Sequence, residues 1–200
     1  RDRVQALVTS PVASVREAAV YANGRLAALP PAAAPAPPTA AAGPVVAAVP
    51  YEELVARVAA SAPNVAAGRQ LFEQRACGAC HTTAPSEAEK GPYLGGIFTR
   101  YNRAEVIESI LRPSARVAQG FASNTFTTTD GRQLSGFVVR EGQDEVVMRD
   151  LTGAETTLRK ALISSRTVSE GSMMPAGLVD TLTVQELASL LAFLESTTAK

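Results

Sequence analysis

Residues 77–81 read Cys77-Gly78-Ala79-Cys80-His81. The chain has 200 residues, and this pentad contains both of its 2 cysteines and its only histidine. Residues three positions apart lie on the same side of a helical turn, so a helical pentad directs both thiols to one side. Because these residue types occur nowhere else in the chain, we expect them to serve a single site.

The Cys-x-x-Cys-His spacing is the attachment signature of c-type haem. Cys77 and Cys80 are expected to form thioethers with the two vinyl groups, which holds His81 beneath the iron at a high effective concentration. Three other interpretations are open. A structural zinc site prefers four N or S ligands, and this chain has only its two cysteines and one histidine. A redox dithiol belongs near a βαβ pattern, whereas helices are predicted on both sides of this motif. A disulfide between Cys77 and Cys80 would close too short a loop to stabilise the fold. We therefore predict one covalent haem c with His81 on the iron.

The second axial position of that iron calls for a methionine, the common partner of histidine in electron-transfer cytochromes. Met148 lies in a predicted strand, whereas Met173 and Met174 lie in an irregular stretch before Pro175. We predict Met174 as the ligand and Met173 as the second candidate; the alternative is that both only fill apolar gaps. Iron with His and Met ligands has no free position for a substrate, which favours one-electron transfer over gas binding or peroxidase chemistry.

Composition excludes some partners. Lys+Arg and Asp+Glu both number 19, which gives a formal net charge of +0, so no nucleic-acid partner is expected. The sequence has no run of about 18 apolar residues, and no membrane span is expected.

The chain divides into modules by composition. Residues 1–29 predict a HEAT-like helical hairpin, and residues 30–50 predict a Pro/Ala-rich linker. The haem domain is predicted at 51–119 and 165–200, with a small β-barrel inserted at 120–164. Because one helical repeat cannot bury its own apolar face, we expect residues 1–29 to be the last unit of a longer array. A plain hairpin packed on the haem domain is the alternative.

Local signals place the helices of the haem domain. Asn64 and Asn102 are predicted helix N-caps, and Thr181 or Thr183 is expected to cap the last helix. That helix carries an apolar stripe, formed by Leu187, Leu190, Leu191 and Leu194.

These residues resemble class I cytochrome c. In that family a Gly-x-x-x-Phe helix leads into the haem motif, as Gly68 and Phe72 do here, and the small glycine lets the last helix cross closely. Leu190 and Phe193 match the family's pattern on the last helix. The resemblance also implies that the turn at Gly91-Pro92 supplies a carbonyl to the His81 ring N–H, which would fix the ring orientation.

A closer resemblance is to the planctomycete/verrucomicrobial-type haem-binding domain family, over about residues 65–197. It is carried by "GRQLFEQRACGACHT", "GPYLGGIFTRYNRAEVIESILRPSARVAQGF", "TTDGRQLSGFVV" and "SMMPAGLVDTLTVQELASLLAFL". It implies a mainly α cytochrome c fold with an inserted Sm-like barrel, acting as the C-terminal electron-transfer module of a larger exported protein. A periplasmic or otherwise exported location and a redox partner, such as a dehydrogenase or another cytochrome, follow from it. The double methionine departs from the family, which usually has one Met before the Pro.

Two further residues are candidates for the cofactor site. Arg100 and Tyr101 are predicted to bind haem propionates, because a guanidinium suits a carboxylate; the alternative is that both are ordinary surface or packing residues. The inserted barrel either covers the haem edge or docks a partner, or it is only structural. The leading hypothesis is thus an electron carrier that is not in itself an enzyme. The second is a protein-interaction module whose haem is structural or sensory.

Overall fold

Five helices can be traced in the computed structural model, which describes residue 9 and residues 43–197. They are α1 (Tyr51–Ala60), α2 (Val65–Gln74), α3 (Cys77–Cys80), α4 (Arg103–Leu111) and α5 (Val184–Ser196). Short 3-10 turns occupy Val46–Ala48, Ile97–Thr99 and Lys160–Leu162. Apart from residue 9, the predicted hairpin at 1–29 lies outside the described residues, as does the part of the predicted linker at 30–42.

The predicted caps start these helices. The Asn64 side chain accepts a hydrogen bond from Ala67 N at the start of α2. Asn102 and Thr183 begin α4 and α5, each in a capping box with the glutamate three residues on. Such reciprocal bonds satisfy backbone N–H groups that a helix start leaves without a partner. Thr183 rather than Thr181 is therefore the cap of the last helix.

The helical core forms around α5. All four leucines of its predicted stripe are buried, together with Phe193. Helix α2 crosses α5 at Gly68, where an added Cβ would lie 1.9 Å from the Ser189 carbonyl oxygen. The Ser189 hydroxyl accepts a hydrogen bond from Asn64 N at 3.1 Å and donates to Gln185 O at 2.9 Å. This close crossing confirms the prediction made for Gly68.

Part of the predicted linker packs onto the same core. Val46 is 3% exposed, and its N–H donates to Leu182 O at 2.8 Å. Val184 N donates to Pro44 O at 3.1 Å, and Ala47 N donates to Asp180 O at 3.1 Å. The stretch around Val46 is thus joined to the segment before α5, so the folded unit begins before residue 51.

The β segment is one antiparallel sheet of five strands, β1 (Ser123–Thr128), β2 (Gln133–Glu141), β3 (Glu145–Arg149), β4 (Glu155–Arg159) and β5 (Ile163–Val168). Their order is β4-β3-β2-β1-β5, a meander whose last strand returns to pair with the first. The sheet continues to Val168, four residues past the predicted insertion at 120–164. Strands β4 and β5 are its two edges, so the sheet is open in this structure. The likeness of this segment to an Sm-like barrel stays a prediction.

A second core lies on this sheet, formed by Phe126, Val146, Met148 and Leu158. It is separate from the helical core that contains Phe72, Leu190 and Phe193. Among residues 43–197, no helix combines the length and apolar character that a membrane crossing requires.

Gly68→Ala tests the crossing of α2 and α5. The added methyl would lie 1.9 Å from Ser189 O and 2.9 Å from the Phe193 Cβ, so the helices must separate. We expect the free energy of unfolding to fall by about 3 kcal/mol, measured by denaturant unfolding. Gly142→Ala is the control, because its nearest atoms would be 3.8 Å and 3.9 Å away. Equal stability of the two variants would contradict the close crossing.

Candidate functional site

The pentad forms one short helical turn. Helix α3 spans Cys77–Cys80, and the His81 N–H donates to Cys77 O at 2.9 Å. The turn is entered through Ala76, whose φ of 57° is left-handed. Ala76 is the only non-glycine with a positive φ in the part of the chain that the structure describes. That backbone conformation is unfavourable for an L-residue, and it redirects the chain from α2 into α3.

The two thiols are half-buried and free. Burial raises the pKa of the Cys77 thiol above its usual range, so this sulfur keeps its proton at neutral pH. Its Sγ lies 4.0 Å from Arg75 O. Cys77 and Cys80 therefore present two thiols from one helical turn, as the sequence predicts.

A loop folds back over this turn and is bonded to the backbone on either side of His81. Gly91 N donates to Cys80 O at 2.6 Å, and Leu94 N donates to Thr82 O at 2.9 Å. A Cβ at position 91 would lie 2.8 Å from Cys80 O, so glycine permits this close approach. We call residues 83–96 the His-facing loop, since it holds the backbone on both sides of His81.

The His-facing loop also fixes the imidazole ring. His81 Nδ1 lies 2.8 Å from the Pro92 carbonyl oxygen. Because a carbonyl oxygen only accepts, Nδ1 carries the proton, and Nε2 keeps its lone pair for a metal. Burial lowers the pKa of His81, although the hydrogen bond to Pro92 opposes that shift. Burial thus favours the neutral ring, and the expected contact with Pro92 is present.

Arg100 and Tyr101 lie beside the same loop. Arg100 is exposed, and its Nη2 donates to Tyr93 O at 3.1 Å. Tyr101 is partly buried and packs against the helical core. The structure thus joins Arg100 to the residue that follows Pro92, while a role for either side chain with propionates stays a prediction.

The methionines lie in two different environments. Met148 is 2% exposed in the sheet core, so its side chain is enclosed by neighbouring side chains. Met173 and Met174 are half-buried before α5. Met174 N donates to the Ser172 hydroxyl at 3.1 Å, and Ser172 N donates to the Ser114 hydroxyl at 3.1 Å. These serines tie the methionine segment to the segment that follows α4.

The donor set fits a covalent haem. Two free thiols lie on one helical turn. The neighbouring His81 ring has Nδ1 hydrogen-bonded to Pro92 O, which leaves Nε2 available as a ligand. Within residues 43–197, no group of three or more His, Cys, Asp or Glu side chains is placed to hold a bare metal ion.

Comparison with known proteins agrees with this geometry. The family model for cytochrome c matches residues 65–135, which include α2, the pentad, the His-facing loop and β1. No curated protein sequence matches the chain. The family match supports a haem-binding, electron-transferring cytochrome of the c type, whose cofactor is covalently bound haem c with iron.

Three features of the site could not be read from the pentad alone. They are the left-handed Ala76, the pair of serines at 114 and 172, and an ion pair between Glu89 and Arg149. Only the serines carry a local signal, because serine commonly bonds nearby backbone.

Substitutions at Ala76 test the strained entry to the pentad. Ala76 and Ala79 are both exposed, but only Ala76 has a positive φ. Valine at 76 is expected to cost about 1–2 kcal/mol more than valine at 79, because a β-branched residue resists the left-handed region. Glycine at 76 should be neutral or stabilising, whereas glycine at 79 should destabilise. Thermal unfolding of the four variants measures this, and equal effects at both positions would refute the strain.

Proposed function

We propose that this chain is a mono-haem c-type cytochrome that passes single electrons, with His81 and Met174 as the iron ligands. The observation that carries the proposal is the state of His81. His81 directly follows Cys80, the second cysteine of the pair, and its Nδ1 is hydrogen-bonded to Pro92 O at 2.8 Å. A ring fixed in this way presents Nε2 as a permanent ligand, and such outer support raises ligand basicity.

Attachment follows from the thiols. Each S–H of Cys77 and Cys80 would add across one vinyl double bond of a bound haem, so that an S–C bond would form and the hydrogen would end on the neighbouring carbon. Nothing leaves, and no net oxidant is needed. Bound haem supplies an iron that changes its oxidation state by one electron. The chain's own residues supply the tether, the oriented imidazole and a partly buried setting.

The Ser172 contact supports Met174 over Met173 as the second ligand. The bond from Met174 N to the Ser172 hydroxyl fixes the backbone at 174, and Pro175 restricts the conformation of the residue before it. Met148 is unsuited, because it is enclosed among sheet side chains.

We further infer the wider setting of the domain. The helices at 51–119 and 165–200 would form a cytochrome c fold that an Sm-like barrel interrupts; the crossing at Gly68 supports the first part. The resemblance to the planctomycete/verrucomicrobial-type family supports a C-terminal module of a larger periplasmic or otherwise exported protein, preceded by HEAT-like repeats. A dehydrogenase or another cytochrome would be the redox partner. In this setting the chain would exchange electrons with that partner, and we infer electron transfer rather than catalysis as its own role.

Protein matured in a host that attaches haem c tests the proposal. We expect a mass equal to the polypeptide plus one haem, no alkylatable thiols, and a reversible one-electron wave. Cys77→Ala together with Cys80→Ala should abolish covalent retention of porphyrin after denaturation and solvent extraction. A bare polypeptide mass with two free thiols would overturn the proposal. A covalent haem that no reductant or partner reduces would favour the interaction module instead.

Paired methionine variants test the second ligand. Met174→Leu nearly preserves volume but removes the sulfur, so we expect loss of the Met–iron charge-transfer band at the red end of the spectrum. The midpoint potential should fall as well, because methionine ligation raises it. Met173→Leu is the matched control and should leave both unchanged. The reverse pattern would assign Met173, and an unchanged band in both variants would exclude both residues.

A further inference from the structure

An ion pair joins the sheet to the His-facing loop. Arg149, the last residue of β3, places Nη1 2.5 Å from Glu89 Oε2. Its Nη2 lies 2.8 Å from Glu155 Oε1 on β4. The Arg149 side chain is only 17% exposed, against 46% for Glu89. A fully exposed pair contributes little, but this guanidinium is held between two carboxylates on different elements.

The turn between β3 and β4 packs against the His-facing loop at Glu89 and Lys90. Gly153 has a φ of 89°, and a Cβ there would lie 3.3 Å from Glu89 O and 3.4 Å from Lys90 Cγ. Asp150 stiffens this turn, since its Oδ1 accepts from Thr152 N at 2.8 Å and from Ala154 N at 3.1 Å. The sheet therefore contacts the loop through a rigid turn as well as through a charge pair.

The contacted residues immediately precede those that hold the histidine. Gly91, two residues after Glu89, bonds to Cys80 O at 2.6 Å. Pro92, three residues after Glu89, bonds to the His81 ring. Only two or three residues therefore separate the anchor at Glu89 from these two bonds, so a shift at Glu89 has a short backbone path to both.

We propose that the β insertion is a brace for the haem ligand, with Arg149 as a positioning residue that acts on His81 through Glu89 and the His-facing loop. This inference rests on the proposed function, because it concerns the ligand of a bound haem. It assigns the sheet a part in setting the properties of the iron. From the sequence alone, the inserted segment could cover the haem edge, dock a partner or be only structural.

Opposite charge changes separate positioning from simple electrostatics. Arg149→Ala removes a positive charge and Glu89→Gln removes a negative one. If the pair acts only through its field, the first variant lowers the midpoint potential and the second raises it. If the pair positions His81, both variants loosen the hydrogen bond to Pro92 O. The imidazole then donates less electron density to the iron, so both variants raise the midpoint potential. We expect a roughly threefold shift of the redox equilibrium, or about 30 mV from 59 mV per tenfold for one electron.

The experiment measures midpoint potentials of haem-loaded variants and amide exchange at Gly91. Arg140→Ala is the control, because it removes the same charge from the same sheet and breaks only the exposed Arg140–Glu145 pair. We expect faster Gly91 exchange and an upward potential in both test variants, a double variant no worse than either single one, and no change in the control. Glu89→Gln alters an exposed group, so it remains informative if Arg149→Ala fails to fold.

Shifts of opposite sign, or potentials and exchange equal to those of the control, overturn the brace while leaving the proposed cytochrome intact. A lack of covalent haem in the unsubstituted protein would instead contradict the proposed function, and the brace with it.

Discussion

The hydrogen bond between the His81 ring and the Pro92 carbonyl is the contact on which the site depends. Without such a contact, a histidine side chain can rotate, and either of its two ring nitrogens can bind a metal. The 2.8 Å contact at Nδ1 assigns a proton to that nitrogen, and we propose the other nitrogen, Nε2, as the iron ligand. Burial lowers the pKa of the ring as well, which favours the neutral imidazole.

That contact exists because the backbone around it is fixed. The bonds from Gly91 to Cys80 and from Leu94 to Thr82 hold the loop to the pentad and to the residue directly after it. The pentad in turn is held by α2, which is locked to α5 where Gly68 meets Ser189. A series of contacts thus runs from the best-buried helix to one imidazole ring. The sheet reaches the same loop from another direction through Arg149 and Gly153.

Much of this could be predicted from the sequence, because the responsible interactions are local. Asn64, Asn102 and Thr183 begin helices through bonds to residues three positions away, and the stripe of α5 repeats with helical spacing. The crossing at Gly68 was predicted through a family resemblance rather than from spacing.

Features that depend on distant partners could not be predicted. Val46 lies in a Pro/Ala-rich stretch that favours a linker, yet it is buried because the segment before α5 offers backbone partners. The Arg149–Glu89 pair joins residues 60 positions apart, and neither residue carries a signal of its own. Ala76 adopts a conformation that its residue type disfavours, because α2 and the pentad on either side require the turn.

The most direct test of the central contact is nitrogen-15 NMR of the His81 ring in the haem-loaded, reduced protein. The proposed ligation predicts a protonated Nδ1 whose N–H is protected from exchange and coupled to the Pro92 carbonyl, with Nε2 unprotonated and bound to iron. An Nδ1 without a proton, or an Nδ1 bound to the iron, would contradict the account.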